Sequence, residues 1–440
     1  AFIDKIQSMS EIHLFIASDI ERGVGQQIKG CTEFPCQMAV RAAIRRDRQE
    51  DVSLLRDVIK AIAHEAIDVG INMPLMPVLD VNQTPDNPII CTRAFSDNPK
   101  EVSWFGSEYI KTLEGYGLIS CAKHFPGHGD TSIDSHISLP VITKSYKDLM
   151  DIDVMPFMKV IEVGVKSIMV GHLYIPALNS LPASLSKKVV KGLLRDGLGF
   201  DGLILTDALN MSALNGIKKV HVECIKAGVD ILLHPVDAHQ AVKEIEDAIR
   251  IKEIDKGCIE SALERVLKAK ARISHIMKAN VDYSRSRNLS TLITDMSITI
   301  MKQSNHVLSV TDGNVVLAGE ERFYNPDLWK GSFKDVFTID NVNPSYQGAV
   351  IIAIFSDVSA WRGSSGIGDD EKQQIIELIK RVKRSIVISF GSPYILPHFK
   401  DADMLIAAYE PTENAQKTVI KCLKGEMGFK GEMPVRLNLT

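Results

Sequence analysis

The 440-residue chain lacks several features that would point directly to a function class. No stretch approaches the roughly 20 consecutive apolar residues that a membrane-spanning helix needs. The formal net charge is only −4, with both signs mixed along the chain, so nothing favours nucleic acid or an anionic membrane surface as a partner. Low-complexity segments are also missing. We therefore expect neither a membrane span nor a nucleic-acid partner.

The chain also lacks a cysteine framework of the kind that stabilises small secreted domains. Its seven cysteines are odd in number and scattered, and Cys121 and Cys224 lie in apolar segments, where cysteine behaves as a small hydrophobe. This pattern predicts a reducing compartment, and we expect a cytoplasmic protein. The sequence starts at Ala1 without a signal peptide, so the loss of a targeting segment and an exported form stay open.

What the chain does have is a regular alternation of apolar runs with amphipathic stretches such as Val52–Val69. Hydrophobic residues make up 45% of the chain, enough for roughly two to three domains. Near-continuous apolar strands separated by helices predict a parallel sheet covered on both faces. The candidate strands are Ile12–Ser18, Asn72–Leu79, Leu118–His124, Lys166–His172, Gly202–Thr206 and Val229–His234.

Polar residues recur where these strands end. They are Asp19, Asp80, His124, His172, Asp207 and His234. A (β/α)8 barrel keeps its active site on that side of the sheet, but an open doubly wound sheet does so too. The pattern by itself leaves both architectures open.

We predict two domains joined by a linker. The first spans residues 1–278 and ends with the charged helix Ile259–Ile276, and polar residues 279–290 form the linker. A second α/β sandwich domain over 291–440 has strands near Asn314–Ala318, Ala349–Phe355, Ser385–Phe390 and Leu405–Tyr409, with the helix Asp370–Arg384 among them. This region has no dense cluster of titratable residues, so we expect it to be dispensable for the chemistry.

The most informative segment is 123–136, KHFPGHGDTSIDSH, which follows an apolar run. Its histidines and aspartates are metal-ligand types, but no familiar zinc spacing is present and Lys123 would repel a cation. The alternative is a loop with only a structural role, whose polar groups are satisfied by hydrogen bonds. We favour acid/base chemistry, because Asp134 and His136 are separated by one residue and can point the same way, so the carboxylate can orient the imidazole. We expect no metal and no cofactor.

Asp207 is the second candidate, within GLILTDALNM. A carboxylate at the end of an apolar run is more typical of a pocket than of a surface loop. Its spacing allows a nucleophile or a structural cap, and Asp19 has the same ambiguity. We predict that the two strand ends, after 118–124 and after 202–206, form one shared site.

These motifs resemble glycoside hydrolase family 3, in its bacterial β-N-acetylglucosaminidase branch. The resemblance runs through SDIERG, PVLDVNQTPDNPIICTRAFS, KHFPGHGDTSIDSH, LPASLSKK and GFDGLILTDALNM, in the order of the family. KHFPGHGDTxxDSH is the specific element, and the match beyond about residue 290 is weaker. The resemblance implies a (β/α)8 TIM-type barrel followed by a second α/β domain.

The resemblance also implies residue roles. Asp207 would be the nucleophile that forms a covalent glycosyl-enzyme, and His136 the general acid/base, oriented by Asp134 on a mobile loop. The residues that would hydrogen-bond the terminal sugar are Asp19, Arg93, Lys123 and His124. The implied substrate carries a terminal β-linked N-acetylglucosamine, in bacteria usually as a peptidoglycan fragment or muropeptide.

Two departures from the family pattern matter. Gln27 occupies a position where the family commonly has an arginine that contacts sugar, and Arg22 is a partial substitute. The chain also starts within the helix that precedes the second strand of the family, so we expect the first barrel strand to be absent from this numbering. An unpaired barrel edge is costly, so either the numbered sequence is a fragment or another element fills the gap.

Three functions therefore remain open. The first is a retaining exo-β-N-acetylglucosaminidase, acting as a monomer in peptidoglycan turnover. The second keeps the fold but transfers the sugar to phosphate, since a histidine repels an incoming anion less than a glutamate does, or acts as another family 3 β-glycosidase. The third is an inactive sugar-binding protein.

Overall fold

The computed structural model describes residues 2–276, 280–304, 313–359 and 362–439. Two parallel-type sheets follow one another along the chain, and helices cover them. The first consists of a two-stranded and a four-stranded ladder that single backbone hydrogen bonds join. Across the described ranges, every helix is too short or too polar to span a lipid bilayer.

The first sheet runs in sequence order. Its strands are β1 (Ala17–Ser18), β2 (Met73–Pro74), β3 (Cys121–Phe125), β4 (Ser167–Val170), β5 (Leu203–Ala208) and β6 (Ile231–Leu233). All ladder pairs are parallel, β1 with β2 and β3 through β6 in turn. Backbone bonds from Ile119 N to Asn72 O and from Cys121 N to Met76 O join the β2 segment to the β3 segment.

This strand order distinguishes the two architectures that the sequence left open. A doubly wound sheet reverses its strand order at a switch point, whereas a barrel sheet keeps neighbours in sequence order. The described residues supply six consecutive strands in barrel order, and each of the six predicted strands is confirmed, although most are shorter than expected. The prediction of a barrel-type α/β fold is therefore confirmed.

The helices of the first domain lie before, between and after these strands. They are α1 (Phe2–Ser8), α2 (Gln37–Ala43), α3 (Gln49–Val69), α4 (Pro99–Gly115), α5 (Tyr146–Asp148), α6 (Met155–Glu162), α7 (Val220–Ala227), α8 (Ala238–Arg250) and α9 (Lys256–Ile273). Helix α4 begins at an Asn98 cap whose side chain accepts from Lys100 N, with Pro99 at its first position. Its buried Val102, Phe105 and Tyr109 recur at helical spacing and pack on the outer face of the sheet.

Helix α9 covers the inner face of the first sheet. Its buried Ile273 packs in one cluster with strand residues such as Met73, Cys121 and Leu205. Arg265 donates to Asp230, just before β6, and Arg272 donates to Glu114, whose carboxylate also accepts from Ser120 N before β3. These contacts lie at the amino ends of the strands. Helix α9 thus buries apolar side chains that an open sheet would expose.

The second sheet has the order β7-β12-β11-β10-β8-β9, parallel except for β7. Its strands are β7 (Thr299–Gln303), β8 (Asn314–Gly319), β9 (Val336–Thr338), β10 (Ala349–Phe355), β11 (Arg384–Phe390) and β12 (Met404–Ala407). The remaining helices are α10 (Tyr283–Ser297), α11 (Pro326–Lys330), α12 (Asp369–Arg381) and α13 (Glu413–Leu423). Separate apolar clusters cover its two faces, so the predicted α/β sandwich and its four predicted strands are confirmed.

The predicted linker is wrong for the residues that the structure describes. Helix α10 begins at Tyr283, with Asp282 as its cap, and packs against α2 and α3 of the first domain. Its buried face consists mostly of small hydroxyl residues, among them Ser286, Ser290 and Thr294. Because these residues have no apolar signature, the helical period was invisible in the sequence. Residues 277–279 lie outside the described residues, and the domain boundary itself stays a prediction.

Candidate active site

A cavity of about 770 Å³ lies at the carboxyl ends of the first sheet. Its wall includes residues that follow β1, β3 and β5, and also residues that follow β10 and β12 of the second sheet. Cavities of this size are typical of small-ligand sites. The two domains therefore share one cavity.

Lys123 and Glu21 form the centre of an ion-pair network in this wall. Lys123 Nζ donates to Asp19 Oδ1 at 2.5 Å and contacts Glu21 Oε1 at 2.7 Å. Arg93 donates to the same glutamate through Nη2 and Nε, at 2.8 and 2.9 Å. Lys123 is buried, whereas the Asp19 side chain is 54% exposed at the cavity surface. One carboxylate, that of Glu21, thus holds two of the cations predicted to bind sugar.

The charges in this network stabilise one another. Burial alone would raise the pKa of Glu21, but Arg93 and Lys123 outweigh it and hold that pKa well below its usual range. Burial alone would lower the pKa of Lys123, and Asp19 and Glu21 instead raise it. Glu21 and Lys123 are therefore charged at neutral pH. Sequence reasoning missed Glu21, although its position two residues after Asp19 was an available signal.

His124 is oriented by Asp80. Its Nδ1 lies 2.7 Å from Asp80 Oδ2, and the backbone nitrogens of His124 and His128 donate to Asp80 Oδ1. Because an ionised carboxylate only accepts hydrogen bonds, Nδ1 carries the proton. Burial would raise the pKa of Asp80, but His124 and His128 lower it below its usual value. Asp80 was noted in the sequence as a strand end, and its role as the partner of His124 was not predicted.

Asp134 and His136 form the predicted dyad. Asp134 Oδ1 accepts from the backbone nitrogen of His136 and lies 2.8 Å from its Nδ1. The carbonyl oxygens of Ser135 and His136 accept from the backbone of Ala213 and Ser212, which follow β5. The loop that carries Asp134 and His136 is thus hydrogen-bonded to the segment that follows Asp207. The prediction that both strand ends meet in one place is confirmed.

Asp207 lies half-buried in the cavity wall at the end of β5. Its Oδ1 accepts from Ala208 N at 2.8 Å, and the carbonyl of Ala208 accepts from His172 Nε2 at 3.1 Å. Burial would raise the pKa of Asp207, but His124 and His172 outweigh burial and lower the pKa below its ordinary value. The carboxylate is therefore ionised at neutral pH. His172 is buried and hydrogen-bonded to Ser184.

The structure brings the predicted residues together. Asp134 lies behind His136, and the other six predicted residues line the cavity: Asp19, Arg93, Lys123, His124, His136 and Asp207. Gln27 is exposed and donates to Asp19 O, while Arg22 lines the cavity and pairs with Glu410 at 2.9 Å and Glu33 at 3.1 Å. Within the described ranges, no group of three or more His, Cys, Asp or Glu side chains is arranged to hold a metal ion.

The second domain contributes to the wall in a way that the sequence did not reveal. Ser356–Ser359 follow β10, and Tyr409–Pro411 follow β12. Glu410 is buried, and its carboxylate accepts from Arg22 of the first domain. Each of these two segments contains only one acid, Asp357 or Glu410, so no local cluster of acids or bases indicated them.

Asp207 at a strand end and His136 thus line one cavity of a size that can hold a small ligand. Residues 2–269 match the family described as Glycosyl hydrolase family 3 N terminal domain. The chain belongs to this family and is a glycoside hydrolase.

Individual relatives agree with this assignment. "Beta-hexosaminidase A" of Pseudoalteromonas piscicida is 27% identical over 98% of this chain and 84% of its own length. The solved structure of a glycoside hydrolase family 3 β-N-acetylglucosaminidase from Paenibacillus sp. str. FPU-7 has a TM-score of 0.83 at 26% identity, covering 99% of this chain and 88% of that one. A β-glucoside phosphorylase superimposes with a TM-score of 0.89 over 99% of this chain and 86% of its own, but at 22% identity this shows the fold alone. The resemblance to the β-N-acetylglucosaminidase branch is confirmed.

Proposed function

We propose that this chain is a retaining exo-β-N-acetylglucosaminidase that works through a covalent glycosyl-Asp207 intermediate. The observation that carries the proposal is the meeting of Asp207 with the His136–Asp134 dyad in one cavity, with sugar-sized space between the two domains. The names of the relatives support N-acetylglucosamine as the sugar. Arg93, Lys123, His124 and Asp19 offer charged donors and acceptors for its hydroxyl groups.

In the first step, an Asp207 oxygen attacks the anomeric carbon. The glycosidic C–O bond breaks, its electron pair stays on the leaving oxygen, and His136 supplies the proton that this oxygen needs. The lowered pKa of Asp207 keeps the nucleophile ionised for this attack. Asp134 fixes Nδ1 of His136, so the proton moves through the other ring nitrogen, Nε2.

In the second step, water attacks the anomeric carbon and His136 takes a proton from it. The bond from that carbon to Asp207 breaks, and the carboxylate is regenerated together with a product of retained configuration. Most glycosidases use two carboxylates for these roles. Here a histidine would replace one of them, and the adjacent Asp134 would stabilise the imidazolium form.

Hydrolysis is favoured over phosphorolysis by the charge of the cavity wall. Five lining carboxylates (Asp19, Glu21, Asp207, Asp357 and Glu410) face three permanently charged cations (Arg22, Arg93 and Lys123) among the described residues. An incoming phosphate is an anion, so the excess of negative groups disfavours its approach, whereas water is unaffected. For the natural substrate we propose peptidoglycan fragments with a terminal β-linked N-acetylglucosamine.

The test uses paired nitrophenyl β-glycosides of N-acetylglucosamine and glucose, with and without inorganic phosphate. We expect strong preference for the acetamido sugar, and free sugar as the product in both buffers. Equal turnover of the two glycosides would contradict the branch assignment, and sugar 1-phosphate would mean a phosphorylase. Binding of N-acetylglucosamine without turnover would mean a sugar-binding protein.

A second measurement tests the intermediate. An activated 5-fluoro analogue of the N-acetylglucosaminide slows the second step, so the glycosyl-enzyme should accumulate. Mass spectrometry of the digested protein should then find the sugar on the peptide that contains Asp207. The Asp201→Asn variant is a matched control, because Asp201 is exposed just before the same strand. Labelling of another residue, or no labelling during turnover, would contradict the mechanism.

A further inference from the structure

Glu410 joins the second domain to the cavity wall of the first. It lies after β12 and is only 5% exposed. Its Oε2 accepts from Arg22 Nη2 at 2.9 Å and from Cys36 N at 3.3 Å, and its Oε1 accepts from Thr412 Oγ1 at 3.1 Å. A buried carboxylate with three donors has one fixed position. Glu410 is therefore a rigid anchor for the guanidinium of Arg22.

Arg22 is directly bonded in sequence to Glu21, the residue that holds both Arg93 and Lys123. The backbone around this pair has little freedom, because Phe34 N donates to Arg22 O at 2.7 Å. Gly23 follows at φ 80°, and a Cβ there would lie 2.7 Å from the Phe34 ring. A fixed Arg22 side chain thus limits the movement of the Glu21 backbone as well.

The charges make this arrangement sensitive to the loss of Glu410. Without its carboxylate, Arg22 would keep the ion pair with Glu33 at 3.1 Å, whose side chain is 46% exposed, and a 3.5 Å hydrogen bond to Phe34 O. A guanidinium that loses its buried partner is no longer held in one position. The Arg22 side chain would then no longer restrain the backbone of Glu21, whose carboxylate pairs with Lys123 and Arg93. Loss of Arg22 itself would remove the same restraint.

We propose that Glu410 is a positioning residue by which the second domain, acting through Arg22 and Glu21, orients Arg93 and Lys123 toward the terminal sugar. The proposal rests on the proposed function, in which Arg93 and Lys123 bind that sugar. It differs from the sequence-based expectation that the second domain is dispensable for the chemistry. It also gives Arg22, the partial substitute for the arginine that Gln27 replaces, an indirect role.

The test compares Glu410→Gln with Glu413→Gln, a matched change three residues away whose ion pair with Lys417 lies at the surface. We measure kcat and KM on the nitrophenyl N-acetylglucosaminide, the dissociation constant of N-acetylglucosamine by calorimetry, and Tm. For Glu410→Gln we expect KM and the dissociation constant to rise about tenfold with kcat within about threefold, since a displacement near 1 Å can cost up to about 10²-fold. Glu413→Gln should keep wild-type values.

The variant Arg22→Gln and the double variant establish the route. If Glu410 acts through Arg22, each single change and the double change should raise KM to the same extent. Additive effects, or a larger effect for Arg22→Gln than for Glu410→Gln, would overturn the indirect role, because Arg22 would then contact sugar by itself. Wild-type kinetics for a folded Glu410→Gln, even with a lower Tm, would reduce Glu410 to a structural contact and overturn the proposal.

Two further results keep the test decisive. If Glu410→Gln does not fold, Arg22→Gln removes the same bridge from the other side, and an unchanged KM there overturns the proposal. A wild-type protein that neither binds N-acetylglucosamine nor cleaves its glycoside would instead contradict the proposed function. That failure appears in the wild type alone, so it is distinguishable from failure of the positioning role.

Discussion

The two sheets of this protein present their carboxyl ends to the same cavity, but with different chemistry. The ends of the first sheet carry charged groups that are held by one another, such as Lys123 between Asp19 and Glu21. The ends of the second sheet offer mainly neutral groups, such as Ser356 and Tyr409. Strand ends thus provide a place for chemistry, and the chemistry itself depends on neighbours that orient and charge each group.

The acids of the second sheet illustrate this difference. Asp357 and Glu410 line the cavity, but each is engaged by an arginine, Arg322 at 3.2 Å and Arg22 at 2.9 Å. Asp207 instead accepts from a backbone nitrogen and faces histidines. In the proposed mechanism the first sheet supplies the reacting groups, whereas the second sheet shapes the wall.

The largest expected effect comes from replacing one aspartate at the carboxyl ends of each sheet. Asp207→Asn should lower turnover of every substrate about 10⁴-fold or more, because no covalent intermediate can form. Asp357→Asn, also at a strand end in the cavity wall, should change kcat less than about tenfold. Steady-state rates on the nitrophenyl N-acetylglucosaminide measure both. Comparable losses of turnover for the two variants would contradict the distinction between the carboxyl ends of the two sheets.

The next effect concerns the proton donor. His136→Ala should lose about 10²–10⁴-fold on a natural disaccharide, the usual contribution of general acid catalysis, and much less on a nitrophenyl glycoside, which leaves unaided. Asp134→Ala should show the same dependence on the leaving group with a smaller loss of activity, since Asp134 only orients the ring. Azide should restore the second step of His136→Ala and yield a glycosyl azide. A uniform loss without azide rescue would mean that His136 only binds sugar, and full activity on the disaccharide would place the donor on the second sheet.

We also predict that stability depends on pH, because histidines are buried at the carboxyl ends of the first sheet. Burial lowers the pKa of His128 to about 4, against about 6.5 in an unfolded chain. The folded protein therefore binds fewer protons than the unfolded chain between these values, and stability falls as pH drops from 6.5 to 4. The loss is about 3 kcal/mol for this group.

The measurement is denaturant unfolding of the wild type and of His128→Gln at pH 7 and pH 4. The glutamine cannot titrate, so the stability advantage of the wild type should shrink by about 3 kcal/mol on acidification. Other buried groups, such as Glu114, are common to both proteins and cancel. A constant difference across this range would show that His128 titrates normally.

The smallest expected effect tests a contact between the second domain and the loop that carries His136. A Cβ placed on Gly363 of the second domain would lie 3.2 Å from Cδ1 of Ile137, next to His136, so the two residues lie close together. Ile137→Ala should lower turnover of poor leaving groups about threefold, less than 1 kcal/mol, by loosening the loop. Ile133→Ala is the control, an exposed isoleucine of the same loop. Equal rates for all three proteins would mean that the second domain leaves the loop unaffected.

Much of this could be predicted from the sequence, and the failures have physical reasons. The six strands of the barrel-type sheet were visible because each is an apolar run of few residues that ends in a polar one. The dyad was visible because its members are two positions apart. Helix α10 was missed because its buried face is made of serines and threonines, which pack by hydrogen bonds instead of by apolar area.

The sequence by itself thus determined the fold class, the family and the candidate reacting groups, because local period and adjacent residues carry that information. Only the tertiary structure decided that Glu21 pairs with both Arg93 and Lys123 and that Asp80 pairs with His124. It also decided that Glu410 pairs with Arg22, which lies 388 positions earlier in the chain. Ion pairs of this kind depend on distance in space and on burial, and neither leaves a periodic signal along the chain.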